Sequence, residues 1–353
     1  MKRPFTVLVL FIILLMSGVG CAKQEGGTPS PAKEGAPAQK KQDKIIMRYT
    51  GSLPLDHYIT ESQNLFKKLV EERAKGRVEI QLYPASQLYG DKDMTKVLPA
   101  GGVELTNLVV PMWTGLVPSV GLTNIGYLML SKEEMYKVLD GPPGQEVIKD
   151  LEEVGNCKFL GWLDFEEGCI FLSKPIKSLD ELKGLRMRCV ADYDAVTLMA
   201  FGVSPVTISN TETYQALQRG TADGLVTGPG SYVTRKLSEV CKYPVKFEFG
   251  QGIYLIAANR DFWDKVPADI QNIMLESAKE VTQWIRKKSQ EDEEMWWKQI
   301  ESTPGVNVIR LSDGDLKRLH EVAREEGDKV LAKRVGEERM KQLTKMVDEV
   351  LKR

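Results

Sequence analysis

Residues 178–226 read SLDELKGLRMRCVADYDAVTLMAFGVSPVTISNTETYQALQRGTADGLV. Leu185 to Val190 reads as a strand, Asp194 to Phe201 and Glu212 to Arg219 as helices, and Asp223 to Val226 as a second strand. Two strands with helical segments between them, in so short a stretch, build a parallel or mixed sheet covered on both faces.

The rhythm continues on either side. Upstream, Ile45 to Thr50 is a strand. A helix follows with Ile59, Leu65, Phe66, Leu69 and Val70 on one face and Lys67, Lys68, Glu71 and Arg73 on the other. Val78, Ile80 and Leu82 alternate with polar neighbours as a strand with one buried face. Asp91 to Ala100 reads as a helix, Val103 to Val110 as a strand, Glu133 to Asp140 and Gln145 to Val154 as helices, and Lys158 to Leu163 as a strand. Downstream, a helix at Ser231 to Glu239 leads to strands at Val245 to Phe249 and Tyr254 to Ala258. Pro267 then suits the first turn of a long helix running to Glu301, and helices over Asp313 to Lys333 and Glu337 to Leu351 close the chain. The body from Ile45 to Arg353 is about twice a typical domain, so two α/β domains are expected.

The N-terminus is of another kind. Lys2 and Arg3 precede the apolar run Phe5 to Met16, and small residues Ser17 to Gly20 lead to Cys21. That run is too short to span a bilayer, so residues 1–20 read as a signal peptide. A cysteine directly after them resembles the lipobox of bacterial lipoproteins, which implies lipidation at Cys21 and an exported protein anchored on the outer side of the cell membrane. Residues 21–44, rich in Gly, Pro, Ala, Gln, Lys and Glu, cannot bury enough apolar surface to offset ordering entropy and read as a flexible tether.

Composition excludes several classes. The chain is 42% hydrophobic and 27% charged, and loss of Lys2 and Arg3 takes its 48 basic side chains to 46 against 49 acidic, a net charge of −3. No Lys/Arg cluster interleaved with aromatics is present, which argues against nucleic acid. Only His57 and His320 are available as histidines, in no metal-ligand spacing, and there is no GxSxG, GxxxxGK or complete GxGxxG. No catalytic residue, metal ligand or cofactor is therefore expected. Cys157, Cys169, Cys189 and Cys241 are in no CxxC pair and are expected to be buried thiols rather than bridges. A two-domain exported α/β chain without catalytic groups has the character of a solute receptor with its ligand in an interdomain crevice.

The opening stretch carries a more specific likeness. Leu182-Lys-Gly-Leu-Arg-Met-Arg188, Gly202-Val-Ser-Pro205, Glu212-Thr-Tyr-Gln-Ala-Leu-Gln218 and Gly220-Thr-Ala-Asp-Gly224 resemble, in order and spacing, the extracytoplasmic receptors of tripartite ATP-independent periplasmic (TRAP) transporters, in the dicarboxylate-receptor branch. Phe66 to Arg77, Tyr83 to Leu88, Leu237 to Tyr243 and Asn259 to Asp264 extend it over the whole body. The resemblance implies a two-lobed periplasmic-binding-protein fold (type II-like) with crossing hinge strands and a long helix behind both lobes. The lobes are then expected at 45–165 plus 253–295 and at 166–252 plus 296–353. It further implies a monomer that closes on a small organic acid and delivers it to TRAP membrane permease subunits. A sensor for a membrane signalling partner is the alternative use of such a fold.

For the site, the resemblance implies that Arg188 takes the ligand carboxylate bidentately, as a planar guanidinium can. Arg186, on the same strand face, is its competitor. Trp113, Val110, Asp192, Asn210, Thr227 and Glu166 are the other expected ligand-binding residues, while Tyr214 is expected to pack against its helix. The chain departs from the family in two places. No arginine stands in Glu166-Glu-Gly-Cys-Ile-Phe-Leu-Ser173, where many members carry a second one, and the polar loop after Asp223-Gly224 is Leu225-Val-Thr227. One arginine facing an apolar wall of Val109, Pro111 and Trp113 suggests a monocarboxylate with an apolar or aromatic body.

Overall fold

A computed structural model of the chain describes residues 44–189, 192–247, 250 and 252–353. The signal peptide, Cys21 and the tether up to residue 43 lie outside the described residues, as do parts of the expected strands ending at Val190 and Phe249.

The chain forms β1 (Ile45–Thr50), α1 (Tyr58–Arg73), β2 (Val78–Tyr83), α2 (Met94–Val97), β3 (Leu105–Val109), α3 (Lys132–Asp140), α4 (Pro142–Val154) and β4 (Cys157–Asp164). It continues through β5 (Cys169–Leu172), β6 (Arg186–Cys189), α5 (Asp192–Ala200), β7 (Ser204–Thr207), α6 (Thr213–Gln218), β8 (Gly224–Thr227), α7 (Pro229–Thr234) and β9 (Tyr243–Val245). It ends with β10 (Ile253–Asn259), α8 (Arg260–Trp263), α9 (Ala268–Ser302), α10 (Asp313–Val335) and α11 (Glu337–Leu351).

The strands make two five-stranded sheets, ordered β2-β1-β3-β10-β4 and β7-β6-β8-β5-β9. In the first, β10 runs antiparallel to β3 and β4, and in the second β5 runs antiparallel to β8 and β9. Each reversed strand enters its sheet directly from the other one, β5 after β4 and β10 after β9. The connectors cross side by side, with the Phe165 N–H donating to the Gly252 carbonyl and the Gly168 N–H to the Gly250 carbonyl, both at 3.0 Å. This is the expected two-lobed α/β fold with crossing hinge strands.

Burial on both sheet faces explains why these strands read as apolar runs. Along β10, Tyr254, Ile256 and Ala258 enter the core beneath α1 and α9, while Ile253, Leu255 and Ala257 enter the core on the opposite face. Helix α9 is the third link. Its 35 residues span about 52 Å at helical rise. Ile270, Met274, Ala278, Val281 and Ile285 bury against the first sheet, and Trp297 joins Phe171 and Tyr232 in a stack over the second. Pro267 is its N-cap, one residue earlier than a first-turn position.

Two expectations change. Asp91 to Ala100 holds only a 3-10 turn and the four-residue α2. The end of the chain does not stay with the second sheet: Leu343 and Val347 of α11 enter the core of α3, α4 and the first sheet. The assignment of 296–353 to the second lobe therefore does not describe α11, whose apolar stripe finds its partner across the molecule.

Candidate ligand-binding site

The two sheets point their ends at a cavity of about 90 Å³. That is room for on the order of six to nine water-sized positions, the scale of a small organic molecule. Val109, Pro111, Asn124 and Ile125 line it from the first lobe, Tyr193, Asn210, Val226 and Thr227 from the second, and Phe165, Gly252 and Tyr254 from the crossing segments. The lobes touch above it. Asn210 Nδ2 donates to Ser52 Oγ at 3.3 Å and Lys92 Nζ to the Thr207 carbonyl at 3.1 Å. A Cβ on Gly121 would stand 1.9 Å from the Tyr193 hydroxyl oxygen, so only glycine allows that approach.

Arg188 is fully buried and does not itself line the cavity, but it bonds Asn210 and Val226, which do. Its strand alternation puts Met187 and Cys189 into the core on one face and both arginines on the other. Arg186, at the exposed end, is held by Asp223 through two side-chain bonds of 3.1 Å. Arg188 instead donates from Nε to the Ile208 carbonyl at 2.9 Å, from Nη1 to the Val226 carbonyl at 3.2 Å and from Nη2 to Asn210 Oδ1 at 2.9 Å. Three of its five N–H groups are used, leaving one on each Nη. It makes no ion pair among the described residues. Burial lowers its pKa from the ordinary value, opposed chiefly by the charge of Asp91.

A second guanidinium stands beside it. Arg235, just past the end of α7, donates from Nη1 to the same Asn210 Oδ1 at 2.9 Å. It too forms no ion pair among the described residues. Burial and then the charge on Arg188 bring its pKa down to about 10. Where the sequence reading named Arg188 alone, two guanidiniums therefore meet at Asn210, the second from the C-terminal end of α7. The sequence signal was slight, since Arg235 lies two helical turns past Gly228 within a stretch that reads as an ordinary helix.

Glu166 lines the cavity, but protein donors engage both of its oxygens. Oε1 accepts from His57 Nε2 at 2.8 Å and from the Ser231 N–H at 3.1 Å, and Oε2 from the Gly230 N–H. His57 Nδ1 accepts from the Ile59 N–H at the start of α1, which assigns the proton to Nε2. Glu166 thus ties the first turns of α1 and α7 to the crossing segment from its place on the cavity wall.

Asn210 and Thr227 line the cavity as expected. Trp113 and Val110 do not. Both are buried in the first-lobe core, because β3 ends at Val109 and the 3-10 turn that follows directs Val109 and Pro111 to the cavity and their neighbours inward. Asp192 is the first residue of α5, and its side chain lies outside what the structure describes. Tyr214 bonds Glu239 at 2.5 Å, away from the cavity. The aromatic lining residues Phe165, Tyr193 and Tyr254 went unread in the sequence; burial pushes the Tyr254 phenol up to about 12. Cys157, Cys189 and Cys241 are buried free thiols, and burial pushes Cys157 and Cys241 up to about 12. Among the described residues no group of three or more His, Cys, Asp or Glu could hold a metal ion, and no helix is long and apolar enough to cross a membrane.

Two lobes, three crossings and a cavity between them, with two arginines behind its Asn210 wall, have the architecture of an interdomain solute receptor. The chain belongs to the bacterial extracellular solute-binding proteins of family 7, whose sequence profile matches residues 50–334. This is the family of TRAP receptors, which bind and do not transform their solutes. Over 300 residues the chain is 27% identical to the C4-dicarboxylate-binding periplasmic protein DctP of Rhodobacter capsulatus, covering 84% of this chain and 89% of that one. Its fold superimposes on a TRAP periplasmic solute-binding protein from Desulfovibrio salexigens with bound orotic acid, with a TM-score of 0.82, 23% identity and coverage of 87% and 98%. A similar match is the TRAP receptor of Sulfurospirillum deleyianum with bound succinate, with a TM-score of 0.80, 25% identity and coverage of 85% and 98%.

Proposed function

We propose that this protein captures an organic acid in the cavity between its lobes, with the carboxylate taken by Arg188, and hands it to TRAP permease subunits as a lipid-anchored, monomeric receptor. The observation that carries this is the buried Arg188 guanidinium, which has N–H groups to spare and no carboxylate partner among the described residues. A buried cation left in that state favours an anionic ligand that completes its bonding. The acid is a monocarboxylate with an apolar or aromatic body. Val109, Pro111, Ile125, Phe165 and Ile253 supply apolar wall for such a body, beside the polar side chains of Thr123, Asn124, Thr197 and Thr227 that would orient it.

A thermal-shift panel on the mature protein stripped of ligand tests this. 2-Oxobutanoate, 3-hydroxybutanoate, pyroglutamate and orotate should raise the melting temperature, and glucose and leucinamide should leave it unchanged. Stabilisation by succinate alone would overturn the monocarboxylate reading, stabilisation by galacturonate alone would overturn the apolar or aromatic body, and stabilisation by none of the acids would overturn the organic-acid reading.

A further inference from the structure

We propose that Arg235 is a second ligand-recognition residue, and that one carboxylate of the ligand bridges the guanidiniums of Arg188 and Arg235. The proposal rests on the organic-acid reading above and names how the acid is held.

Both guanidiniums lie within hydrogen-bond reach of one oxygen, Asn210 Oδ1, at 2.9 Å each. Two like charges placed so close with a single neutral acceptor between them are electrostatically incomplete. The nearest carboxylates do not complete them. Asp91 is buried without an ion pair to either arginine, Asp194 on the cavity wall acts on Arg188 through its charge without an ion pair to it, and Glu166 is occupied by His57 and the N-terminus of α7. Arg235 commits one N–H to Asn210, and Arg188 keeps one on each Nη, so donors from both remain for an anion. Because a single oxygen already reaches both groups, the two oxygens of one carboxylate suffice to bridge them. The second arginine thus strengthens the grip on one carboxylate rather than adding a place for another.

Arg235 is half-buried with no ion pair among the described residues, and its neighbour Arg188 disfavours its charge. A residue kept there for the ligand should weaken the empty fold and strengthen the occupied one. Calorimetric titration of wild type, Arg235→Met, Arg235→Gln, Arg235→Lys and Arg188→Ala tests this. The probe is whichever of 2-oxobutanoate, pyroglutamate and orotate gives the largest thermal shift, and each unliganded variant is also melted. The expected result is a tens- to thousands-fold loss of affinity in the Met and Gln variants. Arg235→Lys should recover part of it, and the unliganded melting temperatures of the Met and Gln variants should be equal to or above wild type. Wild-type affinity in Arg235→Met while Arg188→Ala binds nothing would overturn the role of Arg235 and leave the receptor reading standing. Loss of affinity with a matching fall in unliganded melting temperature in both the Met and Gln variants would make Arg235 a structural residue and also overturn it. Absence of binding of all three acids to wild type would overturn both.

Discussion

Arg186 and Arg188 stand two residues apart on one strand face, and their surroundings give them different work. The first is exposed and paired with Asp223; the second is buried and bonded only to carbonyl oxygens. Arg188→Ala should remove useful binding, because it strands a ligand carboxylate at a cost of about 2–5 kcal/mol, roughly tens- to thousands-fold in affinity. Arg188→Lys should recover little, since an ammonium cannot make paired planar bonds. Calorimetry on the folded variants measures both, and wild-type affinity in Arg188→Ala would refute the assignment. Trp113 makes the opposite case. It fills the first-lobe core, so Trp113→Ala should cost about 3–5 kcal/mol in denaturant unfolding, with ligand affinity of the folded protein retained. A large loss of affinity with little loss of stability would place it back at the cleft. Trp113 was misread because sequence places it beside Val109 and Pro111, and only the turn after β3 decides which of these neighbours faces in.

Elements with a full pattern of their own were legible in the sequence: α1 from its stripe, α9 from Pro267 and its length, β6 and β8 from the strand rhythm. The short crossing strand β5, Cys-Ile-Phe-Leu, was not, since four residues buried on both faces show no alternation. Neither was the Glu166 bridge, whose partners His57, Gly230 and Ser231 are brought together only by the crossing of the chain. Glu166→Gln keeps the shape but replaces one accepting oxygen by a donor that faces N–H groups. The loss of charge-assisted bonds should lower stability by about 1.5–3 kcal/mol in urea unfolding. An unchanged midpoint would show that the bridge is not part of what holds α1 and α7 to the hinge.

At the scale of the whole molecule, a ligand touching both lobes binds only the folded, closed form. At a hundred times its dissociation constant it should add about 2.7 kcal/mol of stability, and it should reduce the radius of gyration in small-angle scattering. Identical profiles in stripped and saturated samples would count against hinge motion about the two crossing segments. The central claim, that the cavity selects its solute by a carboxylate, has a direct test in calorimetry of the best-binding acid against its primary carboxamide, which keeps the shape and removes the charge. The acid should bind at least about a hundredfold more tightly, the loss expected when a buried charged bond is removed. Equal affinities for acid and amide would contradict it.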